Sequence, residues 1–170
     1  MRLAFFSALV CAVALFSGCN DAGNPLGMGT DPVPNPKPGP DPGPDAYAEA
    51  RVAAVDAING YRATLHLSPL SHWSEADSCA DQEARHDAEA NQAHKSFGSC
   101  DESAQNECLA WPSTGSVVND CLDYMWNEGP GSDWSQHGHY INMSNPNYTK
   151  VSIGFYTTPQ GKVWSVQNFK

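Results

Sequence analysis

The chain has 170 residues and net charge −10, from 19 acidic and 9 basic side chains. That balance argues against nucleic acid as a partner, because nucleic-acid binding relies on clustered Lys and Arg. It argues equally against a basic patch for anionic lipid headgroups.

Arg2 is the one early charge, and residues 3–16 are apolar or small throughout. A membrane span needs roughly 20 such residues, so this shorter stretch fits the core of an export signal over residues 1–18. It runs into Leu15-Phe16-Ser17-Gly18-Cys19. Small residues before a cysteine resemble a bacterial lipoprotein cleavage box, in which the cysteine is acylated and becomes the new N-terminus. Cys19 is therefore the expected lipidation site, although Phe16 stands where that box usually has leucine. An ordinary secretory signal cut nearby is the alternative. Residues 19–45 then form the lipidated cysteine and a tether. Every second residue from position 32 to 44 is proline. Fixed φ and missing N–H donors keep helix and sheet from forming there. The segment reads as a semi-rigid, polyproline-like stalk that holds a domain off a membrane.

Residues 46–170 are one domain in length. Residues 46–64 predict a helix, with Val52, Val55, Ile58 and Arg62 at helical spacing and abundant alanine. Residues 65–70 are a connection stopped by Pro69. Residues 74–92 predict a second helix, with Ser74 and Asp77 as a capping signal. Its expected buried face is small: Ala76, Cys79, Ala80, Ala84 and Ala88. Residues 117–128 predict a third, on the stripe Val117, Val118, Cys121, Leu122, Met125 and Trp126. Ser116 or Thr114 would cap it and Gly129-Pro130-Gly131 would end it. Gly138-His139-Tyr140 reads as a turn ahead of a strand. Residues 150–157 alternate Val151, Ile153 and Phe155 against Ser152, Gly154 and Tyr156. Residues 158–161 are a turn and residues 162–169 alternate again, so the two strands form a hairpin. With a short strand between residues 95 and 109, the order predicts an α+β fold of helices on a small antiparallel sheet.

Cys11 lies in the signal, which leaves Cys79, Cys100, Cys108 and Cys121 in the domain. An even number in an exported chain reads as two disulfides with three possible connectivities. Cys100–Cys108 with Cys79–Cys121 is the pairing we favour. No C-x-x-C pair supports a zinc–thiolate site.

The order of motifs resembles the superfamily of cysteine-rich secretory proteins, antigen 5 and pathogenesis-related protein 1, the CAP or SCP domain. The resemblance covers residues 46–170. It rests on Asn59-x-x-Arg62, Leu70-Ser71-His72-Trp73, Ala93-His94, Gln105-Asn106-Glu107, Gly138-His139-Tyr140, Asn142 with Asn145-Pro146, and the closing Gln167-x-Phe169. Two departures stand out. Asn106 replaces the usual glycine before Glu107, and Trp126 and Glu128 lie two apart where the family has three. The resemblance implies a three-layer α-β-α sandwich with a cleft where two histidines and two glutamates meet. On that basis His94, Glu107, Glu128 and His139 are the candidate cleft residues, with Glu128 the least secure. Some relatives bind divalent metal there.

Imidazoles suit zinc or copper, and carboxylates compensate charge. His94 and His139 are thus candidate ligands for a divalent metal, zinc above others. His137 would share a side with His139 in an extended segment, but reads better as an exposed loop side chain. Trp111, Trp126 and Trp134 are read as core or as an aromatic wall beside the cleft. The expected protein is an extracytoplasmic binding module, an envelope lipoprotein or a secreted form, that takes a small ligand or surface partner. The alternative is a metal-dependent hydrolase of peptide or envelope-polymer bonds, with Glu107 as base.

Overall fold

The computed structural model describes residues 46–170; the expected export signal, the expected lipidation site Cys19 and the proline-rich segment lie outside the described residues. Helix α1 (Ala48–Thr64) buries Ala54, Val55 and Ile58. Val52 faces solvent, and Arg51 is buried in its place. Strand β1 (Ser71–His72) and a 3-10 turn (Ser74–Ala76) lead into α2 (Asp77–Ala90). Asn91 ends α2 in the left-handed region, φ 50°, a conformation asparagine tolerates. Strand β2 (Ala104–Trp111) is longer than the sequence suggests. Next come α3 (Thr114–Ser116), a π-helical turn (Val117–Cys121) and α4 (Leu122–Trp126). Ser113, not Ser116 or Thr114, is the cap, in a capping box with Ser116. Helix α5 (Trp134–Met143) precedes the hairpin of β3 (Lys150–Thr157) and β4 (Val163–Phe169).

The strand order is β1-β3-β4-β2. β3 pairs antiparallel with β4, and β4 with β2, but β1 runs parallel to β3. The sheet is therefore mixed rather than purely antiparallel. Helix α2 covers one face, where Ala80 and Ala84 pack on Trp164 and Val166. On the other face α1, the π turn, α4 and the end of α5 pack on Val151, Ile153, Phe155 and Phe169. The small stripe on α2 has a measurable purpose. A Cβ at Gly154 would fall 2.2 Å from the Ala80 backbone, so helix and strand meet at van der Waals limits that only glycine permits.

Because β1 spans two residues, β3 has no strand partner beyond it among the described residues, and three side chains supply the missing bonds. Asp77 Oδ1 accepts from Ile153 N at 3.1 Å, Asp81 Oδ1 accepts from Phe155 N at 2.7 Å, and Arg51 Nε donates to the Ile153 carbonyl at 3.0 Å. Arg51 also pairs with Asp81 at 2.5 Å and Asp77 at 3.4 Å. Asp77 thus closes a strand edge, not a capping box with Ser74. Arg51→Ala removes one donor each from Asp77, Asp81 and the Ile153 carbonyl, while both carboxylates keep their backbone N–H partners on β3. Its expected cost is about 3 kcal/mol, read as a lowered urea midpoint.

The disulfides are Cys79–Cys100 and Cys108–Cys121, which corrects the favoured pairing of Cys100 with Cys108 and Cys79 with Cys121. The reason is the strand between positions 104 and 111. An extended backbone advances about 3.3 Å per residue and carries Cys108 away from Cys100. Cys108 instead faces the π turn that holds Cys121, and Cys100 lies by α2, beside Cys79.

The second correction concerns Gly138-His139-Tyr140, which lies inside α5 rather than in a turn. Asp133 caps that helix by accepting from Ser135 N at 3.0 Å.

Candidate functional site

β2 is an edge strand, and its two faces point to different helical layers. Gln105 and Glu107 alternate toward α2, while Asn106 turns toward α5. α5 is tied along this edge by Asn106 Nδ2 to the His139 carbonyl (3.1 Å) and by Asn142 Nδ2 to Asn106 Oδ1 (2.8 Å). The asparagine that replaces the expected glycine is therefore a fastener between strand and helix.

His94 sits in the loop after α2 with φ 56°. Its backbone N–H donates to Glu107 Oε2 at 2.7 Å, and its Nδ1 lies 2.8 Å from Gln105 Oε1. The amide orientation of Gln105 is set independently. Its Nε2 donates to Glu83 Oε2 (3.2 Å) and Asn168 Oδ1 (3.0 Å), so Oε1 must face His94. In the neutral ring the tautomer is thereby set, with the proton on Nδ1 and the lone pair on Nε2. His139 repeats the arrangement. Its Nδ1 is 2.5 Å from Glu128 Oε1, and its backbone N–H donates to Glu128 Oε2 at 3.0 Å. Glu128 leaves the chain just after α4, so its one-residue shift from the family spacing is absorbed in a turn.

His94, Glu128 and His139 line a cleft of ≈ 200 Å³ with Gln105, Asn106, Trp134 and Asn142. A second lobe of ≈ 250 Å³ shares His94, Gln105, Trp134 and Asn142 and adds Phe97, Ser103 and Tyr148. Glu107 lies beneath His94, its side chain 1 % exposed. Burial, with Asp87 and Glu83 nearby, pushes its pKa up to about 8 against the pull of the His94 N–H. The four candidate residues thus form two pairs, His94 with Glu107 and His139 with Glu128, rather than one collapsed ligand cluster. His137 bonds the carbonyls of Glu128 and Gly129 through Nδ1 and holds the turn before α5. Trp126 packs between Tyr61 and Tyr140, whereas Trp134 is exposed at the cleft.

Gln105 is a site residue that motif order alone does not single out. Its position two before Glu107 on a strand places both on one face, and that period is the signal that would have found it.

Among the described residues, the one group of three ligand-type side chains with donor atoms within 4.8 Å of one another is Glu83, Cys100 and Glu102. By spacing this buried group could hold a metal ion. Cys100 Sγ is already bonded to Cys79, however, and the carboxylates accept from Ser99, Asn168, Gln105 and the amides of Gly98 and Cys100. These partners fasten the loop that carries His94.

A family model for the cysteine-rich secretory protein family matches residues 55–169. The chain belongs to that family. Among curated proteins, no sequence matches it. Among solved structures it is similar to BmVAL-1, with TM-score 0.61 and 15 % identity over 76 % of this chain and 80 % of that one. It is also similar to Na-ASP-1, with TM-score 0.57 and 15 % identity over 71 % of this chain and 38 % of that one. An outer surface protein from Borrelia burgdorferi aligns with TM-score 0.50 and 18 % identity over 73 % of this chain and 94 % of that one. These likenesses bear on the CAP fold: helices on a four-stranded mixed sheet. Two disulfides in so small a CAP domain accord with a secreted chain.

Proposed function

We propose that this CAP protein is an exported binding module whose cleft takes a divalent metal ion, zinc before others, or a small polar ligand. Cys19 would carry the lipid and the proline stalk would hold the module away from the membrane, in the cell envelope. The observation behind the reading is the matched state of two imidazoles. Each has Nδ1 engaged by an acceptor, Gln105 for His94 and Glu128 for His139. An acceptor on Nδ1 fixes the ring and raises the basicity of Nε2, which is how metal-ligating histidines are prepared. His94 and His139 would be the ligands, Glu128 would offset charge, and the ion would supply Lewis acidity when bound.

The hydrolytic alternative needs a base at the cleft. Glu107 is buried below His94, engaged with its backbone and inclined to keep its proton at neutral pH. Glu128 is committed to His139. Binding without turnover is therefore the reading we favour.

Calorimetric titration of zinc chloride into the protein tests it. A saturable one-to-one heat is expected, and His94→Ala with His139→Ala together should weaken binding at least 100-fold. A wild-type protein that gives no heat with zinc, copper or nickel ends the metal reading.

A further inference from the structure

We propose that the lobe beside the imidazole cleft binds an organic cation: a primary alkylammonium on a short apolar stem, as carried by a lysine side chain or a polyamine. Three aromatic rings line this lobe, Phe97, Trp134 and Tyr148. Phe97 is 51 % and Trp134 60 % exposed, and they come from different segments, the loop after α2 and the start of α5. Aromatic faces around a concavity attract cations through the ring quadrupole, tryptophan most strongly. The same fold makes this contact elsewhere, with Lys150 Nζ 3.9 Å from the Trp73 ring centroid.

The polar lining points the same way. Asn142 is 2 % exposed and lines the lobe. Its Nδ2 is fixed by the Gln105 carbonyl at 3.3 Å and Asn106 Oδ1 at 2.8 Å. Its Oδ1 is therefore an acceptor, and it has no partner among the described residues. A buried acceptor without a donor costs free energy until a donor arrives. A ligand that meets it must bring N–H or O–H groups.

Charge separates the remaining choices. Among the described residues, no Lys or Arg lines the lobe. The carboxyl group that lines the adjoining part of the cleft is Glu128, and the chain as a whole carries net charge −10. An anionic ligand would meet Glu128 and a chain of net negative charge with no Lys or Arg at the lobe to offset it. A purely apolar ligand would leave Asn142 unsatisfied. An ammonium on a hydrocarbon stem meets all three features, with N–H donors for Asn142, charge for the acidic surroundings and methylenes against Phe97 and Trp134. A volume of ≈ 250 Å³ lies just below the usual range for drug-sized ligands and suits a short chain.

The test is titration of n-butylammonium chloride into the purified protein, with EDTA present so that the result is independent of any metal. Saturable binding is expected, weakening with ionic strength. Phe97→Ala and Trp134→Ala should each reduce affinity about five-fold, and because both rings are exposed the variants should fold, which circular dichroism checks. Tetramethylammonium, which has no N–H donor, should bind at least five-fold more weakly, and methyl glucoside should not compete. Cadaverine binding more tightly than Nα-acetyl-lysine methylamide points to a polyamine as the source; the reverse order points to a peptide side chain. The proposal is overturned by absence of saturable binding, by equal binding of methyl glucoside or tetramethylammonium, or by two aromatic variants that bind like wild type.

Discussion

Arg62→Met is expected to lower stability by on the order of 4 kcal/mol, seen as a reduced urea midpoint with an unchanged denaturant slope. Arg62 is 1 % exposed, and its guanidinium has no carboxylate partner among the described residues. It is solvated by backbone: Nε donates to the Ser68 carbonyl at 3.0 Å, and Nη1 to Met143 at 2.8 Å and Asn145 at 2.9 Å. Burial lowers its pKa, but from a value so high that it stays charged at neutral pH. Two of those carbonyls lie at the C-terminal end of α5, where the helix dipole favours a cation. Methionine fills much of the same space and restores none of the bonds. Each abandoned buried acceptor costs about 1–3 kcal/mol, and Ser68 and Asn145 recover part of this by meeting water. The loss reaches the site as well, because α5 carries His139 one to two turns upstream. Zinc affinity should fall in Arg62→Met even though no proposed ligand is touched. A variant as stable as wild type would show that water replaces the guanidinium freely.

The elements that were legible in the chain are those whose signal is local. The alternation of Val151, Ile153 and Phe155 places them on one face of β3, and that face is the main core. Ala80 and Ala84 form the small contact surface their spacing suggests, matched by Gly154. α5 was illegible because little of its helical stability is intrinsic. It holds Gly138 and few apolar residues, and buries only Asn142 and Met143. Its conformation is imposed by neighbours: Asp133 at its start, Trp126 against Tyr140 at 4.6 Å, and Arg62 at its end. Gly138 packs closely on the Trp134 ring, where a Cβ would stand 3.3 Å from Nε1. A two-residue parallel strand such as β1 carries no periodicity to read. The disulfide connectivity depends on which face of β2 each cysteine meets, and spacing does not encode that.

The candidate site was half legible for a related reason. Motif order named His94, Glu107, Glu128 and His139, but not what each one touches. Glu83 and Asp87 lie on the same side of α2 as Ala80 and Ala84, where polar residues are not expected. They are buried there because the loop after α2 needs acceptors for its amides and hydroxyls. Asp87 holds Ser96 N at 2.9 Å, Glu83 holds Ser99 Oγ at 2.8 Å, and Glu102 holds Gly98 N and Cys100 N. A loop without regular structure has unpaired backbone donors, and buried donors must be met. Carboxylates from α2 and from within the loop do this, and Glu107 of β2 completes the set beneath His94.

That crowding of acids makes Glu107→Gln the substitution with the clearest dependence on pH. The folded-state pKa of Glu107 is about 8 against an ordinary 4.5. Below 4.5 the group is protonated in both folded and unfolded chains and contributes no pH dependence. Between 4.5 and 8 the unfolded chain releases the proton while the folded chain retains it. Stability therefore falls as pH rises through that window, and the loss is complete above 8. A tenfold difference in proton affinity between the two states is worth about 1.4 kcal/mol, and relaxation of the site reduces the total to on the order of 3 kcal/mol. Glutamine keeps a carbonyl for the His94 N–H and replaces Oε1, which has no partner among the described residues, with an N–H donor beside acidic neighbours. Wild type and Glu107→Gln should therefore melt close together at pH 5. At pH 9 the variant should melt several degrees higher, because it has no proton to lose. Thermal melts at the two pH values decide the matter: a wild type that matches or exceeds the variant at pH 9 would show that the carboxylate ionises there without strain. The same charge, once formed, faces Asp87 and Glu83 and works against the loop they hold together. Alkaline pH should thus loosen the loop carrying His94 in wild type and spare it in the variant, which amide hydrogen exchange at Ser96 and Gly98 would register.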